Sequence, residues 1–230
     1  MFFGLLLVCA YACYTNINES LECGSAQSFT YSGSDFLCYL KDTDFGSSNK
    51  YVVIELPSEK LGVESSKCGN DPLTKNGNLN ATVLHIKGKG ASSTSLVMKS
   101  DEFKLNGNVQ KLIIEDLTIT SDRSKLEKAF ESQNELWLKN VEFKNFNLSS
   151  ALYESTQMSK FKNVSITNVH SDEYILELES SSFSLEEITI SNVWFKKAIL
   201  LFEDAESVVL NDIKLSFKEE QECESLIQFD

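Results

Sequence analysis

Arginine, proline and histidine are scarce in this sequence. Of 230 residues, one is arginine (Arg123), two are proline and two are histidine (His85 and His170). A single arginine leaves almost none of the guanidinium forks that grip carboxylates and phosphates through paired hydrogen bonds, which argues against a dedicated anion receptor. Positive charge is short overall: 21 Lys+Arg against 34 Asp+Glu give a formal charge of −13. A surface of that sign repels nucleic acid and anionic lipid, so no nucleic-acid partner is expected. No Cys-x-x-Cys occurs, nor any Cys/His spacing of the kind that holds zinc. Low proline with 42% apolar residues excludes a disordered chain, and the length fits one domain or one domain with a cap.

The chain opens on an apolar run, Met1 to Cys13, too short to span a bilayer. It ends in Ala10-Tyr11-Ala12, a small-x-small triplet that suits signal peptidase, although the usual basic n-region is missing. Residues 1–13 are read as a secretory signal, and the mature protein is expected outside the cell or at its surface. Cys23, Cys38, Cys68 and Cys223 are then disulfide candidates, with all three pairings open. Sequons at Asn18, Asn80, Asn147 and Asn163 fit the same route.

The strongest signal is an internal repeat. The pattern apolar, any, Asn/Asp/Glu, apolar, any, apolar begins at Ile114, Leu138, Phe161, Leu185 and Leu210, in steps of 23 to 25 residues. A second motif keeps nearly the same step: Phe130-Glu131, Tyr153-Glu154, Leu178-Glu179, Phe202-Glu203 and Phe229-Asp230. Each period holds two or three short strands and no room for a long helix. Their β-branched and aromatic residues suit a pleated surface. A strand this short buries its apolar side only by stacking on the next coil, at about 4.8 Å per coil. Asn145, Asn168 and Asn192 recur two residues past the last apolar position and are expected to stack as a structural ladder, since asparagine tolerates the left-handed corner and bonds to its neighbour's amide.

Upstream, Thr82 to Gly90 followed by Ser95 to Met98 reads as the opening coil, with Ile86-Lys-Gly88-Lys-Gly90 as a strand and sharp turn rather than a phosphate-cradling loop. The less regular residues 14–78 are read as a cysteine-containing cap over the first coil, and 79–230 as the repeats. Together, the coil length, paired motifs, asparagine ladder and Ile-x-Gly-x-Gly opening resemble the right-handed parallel β-helix proteins of the pectin lyase-like superfamily. The expected fold is therefore all-β: a right-handed parallel β-helix with an N-terminal cap. A leucine-rich repeat has an overlapping period but wants asparagine three residues past its third apolar position, whereas Asn145 follows Phe143 by two.

The resemblance raises polysaccharide lyase and glycoside hydrolase chemistry as an alternative. A hydrolase needs two nearby carboxylates, and a lyase needs a base with a cation beside the sugar acid. Of the polygalacturonase motifs of that superfamily, Asn-Thr-Asp, Asp-Asp and Gly-His-Gly are absent; Arg-x-Lys occurs alone, as Arg123-Ser-Lys125 beside Asp122, and no catalytic residue is carried over. His85 and His170 have no Ser or Cys partner at a recognisable spacing and are read as structural or surface histidines, and Arg123 as a solvated turn residue. If strand alternation holds, Glu131, Glu154, Glu179, Glu203 and Asp230 form one outward column, either a solvated acidic face or a low-affinity Ca²⁺ site; no other cofactor is implied. The last motif, Leu226 to Asp230, is a strand in register, so stacking or continuation is expected at that edge. The leading expectation is a non-catalytic module for adhesion, surface structure or recognition of an extracellular glycan or protein.

Overall fold

The computed structural model describes residues 26–33, 35–43, 45, 51–64, 81–99, 103–105, 109–132, 135–155, 157–179, 182–217 and 224–230. Within them the chain is a parallel β-solenoid of about six turns. Its elements are β1 (Gln27–Thr30), α1 (Phe36–Asp42), β2 (Tyr51–Glu55), β3 (Lys60–Val63), β4 (Val83–Lys87), β5 (Ser95–Met98), β6 (Phe103–Leu105), β7 (Lys111–Ser121), β8 (Phe130–Ser132) and β9 (Glu135–Leu148). There follow β10 (Tyr153–Ser155), β11 (Ser159–Ser171), β12 (Leu176–Glu179), β13 (Ser182–Phe195), β14 (Leu200–Glu203), β15 (Ser207–Ser216) and β16 (Ile227–Phe229).

One sheet runs β1-β2-β4-β7-β9-β11-β13-β15, with β3 and β5 stacked beneath the second half of β7. The other runs β16-β14-β12-β10-β8-β6. Neighbours in each are consecutive coils, which is why the pairing is parallel. Their side chains form straight rows: Ile54, Ile86, Ile114, Leu138, Phe161 and Leu185 follow one another in register and are all buried. Ile119, Phe143, Ile166 and Ile190 form a second buried row.

The spacing of these rows explains the repeat. On a straight strand, residues three apart face opposite sides. Ile114 and Leu117 both face the core because Asp116 between them is left-handed, with φ 58°. Asn140, Asn163, Glu187 and Asp212 hold the same corner, at φ of 51° to 56°. A second corner follows at Asn145, Asn168 and Asn192, at φ of 61°, 57° and 53°. β9, β11 and β13 thus each hold two corners and are three straight legs joined by left-handed residues, whereas β7 and β15 hold one corner and two legs.

The first sheet extends upstream of residue 79, where the cap was expected to end: β2 pairs with β4 from Tyr51↔Val83 to Glu55↔Lys87, and β1 pairs with β2. These strands lack the Asx corner that marks the later coils, which hid them. α1 is capped by Asp35, whose carboxylate accepts from the Leu37 and Cys38 amides at 3.0 and 3.2 Å. Its Phe36, Leu37 and Leu40 join the core shared with Val52 and Ile54.

Candidate functional site

The expected single column of acids is two rows. Glu154 pairs with Glu131 on one side and with Glu177 on the other, while Glu179 pairs with Glu203. The run Leu176-Glu177-Leu178-Glu179 explains the difference: slipping it by two residues keeps apolar side chains inward in either register, so alternation alone cannot choose. Burial, together with the carboxylates of Glu154 and Glu203, pushes the Glu177 carboxyl above its ordinary range. Burial, then Glu179 and Asp230, does the same to Glu203. The Lys128 ammonium pairs with Glu154. Among the described residues, no group of three or more His, Cys, Asp or Glu side chains is arranged to hold a metal ion.

His85 sits on the outward side of β4 yet is buried. Its Nδ1 lies 3.3 Å from the Tyr51 hydroxyl and its Nε2 lies 3.1 Å from Glu115 Oε2. Lys139 reaches the other Glu115 oxygen at 3.0 Å. Burial by itself raises the Glu115 pKa, but the hydrogen bonds and charges of His85 and Lys139 outweigh it and hold the carboxyl at about 2. Beside this group the Lys111 ammonium sits 3.8 Å from the ring centre of Trp137, itself fully buried, and pairs with Glu135 at 3.2 Å. The cluster locks four adjacent strands together, with every ionic group matched by an opposite charge or a hydrogen bond.

His170 lies on the outer face of β11, in register with Asn147 of β9 and Trp194 of β13. Its imidazole stacks on the Trp194 indole at 4.0 Å with 4° between the planes, and its Nε2 is 3.5 Å from Asp172 Oδ1. Lys125 also reaches Asp172, at 2.6 Å. On the adjoining leg, across the corner at Asn168 and Asn192, Ser165 and Thr167 of β11 stand opposite Thr189 and Ser191 of β13. Thr167 Oγ1 and Ser191 Oγ are 3.4 Å apart. Arg123 is exposed in the turn after β7, two residues before Lys125.

The corner residues form two amide ladders. Asn168 donates to Asn145 at 2.7 Å and Asn192 to Asn168 at 3.0 Å. The other ladder sequence reasoning overlooked, although its signal was the third position of the repeat: Asn140 donates to Asp116 and Asn163 to Asn140, both at 2.8 Å. Asn163, one of the four sequon residues, is thus a rung. Asn147 is exposed and donates to the Ser124 carbonyl at 2.6 Å. Cys38 lies on α1; the residues 1–13, Cys23, Cys68, Cys223, Asn18 and Asn80 lie outside the described residues.

These features define the class of the molecule as a parallel β-solenoid with an ordered, polar outer face. No protein family, curated protein or solved structure matches the chain.

Proposed function

We propose that the chain is an extracellular, non-catalytic β-helix module that recognises glycan or protein ligands or coats a surface. In this reading the coil is right-handed, as in the pectin lyase-like proteins it resembles. What carries the reading is the use made of its chemistry-bearing side chains. His85 is tied between Tyr51 and Glu115, and His170 is stacked on Trp194. The acids of the second sheet stand in two rows of like charge. With the histidines engaged between coils and the acids in rows of like charge, the flat outer faces are left as the functional surface, which suits binding. Secretion follows from the apolar leader, and a disulfide at Cys38 would fasten α1 to its surroundings in the same compartment.

The test is to express the full chain in eukaryotic cells, then screen the product for glycan binding and for polysaccharide cleavage. Expected are a medium-borne protein starting at Cys13 or Tyr14 and saturable glycan binding without new reducing ends or unsaturated sugars. Sustained cleavage would replace this reading with the lyase or hydrolase alternative, and retention in the cytosol with Met1 intact would refute secretion.

A further inference from the structure

We infer that the outer side of β11 and β13 around the Asn168 and Asn192 corner is a binding strip for a neutral glycan, with Trp194 as the ring on which a sugar stacks. The inference rests on the recognition role proposed above and names its site and ligand class.

The observation behind it is a gap in the charge. Across two adjacent coils the outward and corner positions read Ser165, Thr167, Asn168 and His170, beside Thr189, Ser191, Asn192 and Trp194. All eight are exposed or half-buried. None is a carboxylate, lysine or arginine, in a chain with 34 acidic and 21 basic residues. Charges resume at both borders and are paired there: Glu142 with Lys144 at 3.0 Å on β9, and Asp212 with Lys214 at 3.3 Å on β15.

Trp194 is the second observation. Among the described residues it is the one exposed large apolar side chain outside β15, β16 and the residues flanking them, at 39% exposure. The parallel His170 ring holds it flat, so little rotamer freedom remains to be lost on binding. A sugar presents an apolar C–H face that packs on an aromatic ring, and hydroxyls that want partners able both to donate and to accept. Serine and threonine hydroxyls and asparagine amides are such partners. A sugar acid would instead meet a strongly negative molecule with no guanidinium on the strip.

The two tryptophans make the test direct, because Trp137 is fully buried and Trp194 is not. The full chain is titrated with neutral cello-, xylo-, manno- and chito-oligosaccharides, and with oligogalacturonate as the acidic comparison, following tryptophan emission and binding heat. We expect a saturable blue shift with at least one neutral series and none with oligogalacturonate. Trp194→Ala should weaken binding by about tenfold or more, and Thr189→Val, which leaves the stack in place, should weaken it severalfold. Circular dichroism checks that both variants fold. Binding undiminished in both folded variants, or preference for the acidic sugar, would overturn the strip while leaving glycan recognition standing. Neither shift nor heat with any neutral series would overturn the ligand class, and the wider glycan screen decides the parent reading independently.

Discussion

At the scale of single residues, left-handed corners set the architecture. Among the described residues, nine that are not glycine have positive φ, and eight of them form the two corner columns. Seven of those eight are Asn or Asp, whose short polar side chains tolerate this conformation. Glu187 is the exception, at φ 56°. It also breaks the donor sequence, because Asn163 donates back to Asn140 and the next coil offers a carboxylate in place of an amide. Glu187→Asn should relieve the strain and extend the ladder, stabilising the fold by about 1 kcal/mol. Thermal melts of protein from a bacterial host, where the new sequon stays unmodified, would show it; an unchanged or lowered Tm would count against the ladder's role. The asparagine column at 145, 168 and 192 was legible because one residue type fills it. The column at 116, 140, 163, 187 and 212 mixes Asp, Asn and Glu, so it reads as a polar position in a motif and not as a hydrogen-bonded line.

At the scale of elements, packing of one coil's corner on the next limits side-chain size. Gly88 follows β4 at the corner, and a Cβ there would fall far inside contact distance of the Asp116 carbonyl oxygen and 2.9 Å from Leu117 Cβ. Backbone cannot step aside as a flexible side chain can, so Gly88→Ala should destabilise by about 2–3 kcal/mol. Gly62 in β3 offers the contrast: its nearest neighbours would be Asp35 Oδ2 and Lys99 Cε at 3.6 Å, ordinary contact. Gly62→Ala should therefore leave the denaturation midpoint unchanged or raise it slightly, and equal losses at the two glycines would show that the corner is not the constraint. The element scale is also where sequence reading slipped. Strand alternation fixes which residues point inward but not which coil positions pair when apolar residues sit at both 176 and 178. The choice came from the backbone between the sheets.

At the scale of the whole molecule, the acids divide into two groups of opposite effect on stability. The Glu115 carboxyl is held near 2, below its ordinary value of 4.5. A depressed folded-state pKa contributes stability that is present above about 4.5 and lost as pH falls towards 2. The difference is worth on the order of 3 kcal/mol. Glu177 and Glu203 have raised pKa values, so they weaken the fold at neutral pH and relieve it once protonated. Melting temperature should rise on mild acidification and fall below about pH 4.5. In Glu115→Gln the neutral-pH Tm should be lower and the acid loss shallower. Parallel profiles for the two proteins would remove Glu115 from the account. This cluster was illegible in the sequence, since Tyr51, His85, Glu115 and Lys139 are far apart along the chain and share no motif. Only in-register stacking brings them together.

That stacking also governs how such a chain can change its length. From β7 to β15 partners in the first sheet lie 23 to 25 residues apart, while in the second sheet the interval runs from 23 residues, at Phe130↔Tyr153, to 27, at Phe103↔Phe130 and Leu200↔Ile227. The extra residues enter between the sheets, where no row is interrupted. Within a leg, inserting one residue would turn every later side chain inside out, whereas inserting a whole coil would disturb nothing but the distance between the two ends. Lineages of this protein are thus free to drift in loop length but are confined, along the solenoid axis, to growing or shrinking by duplication and loss of entire turns.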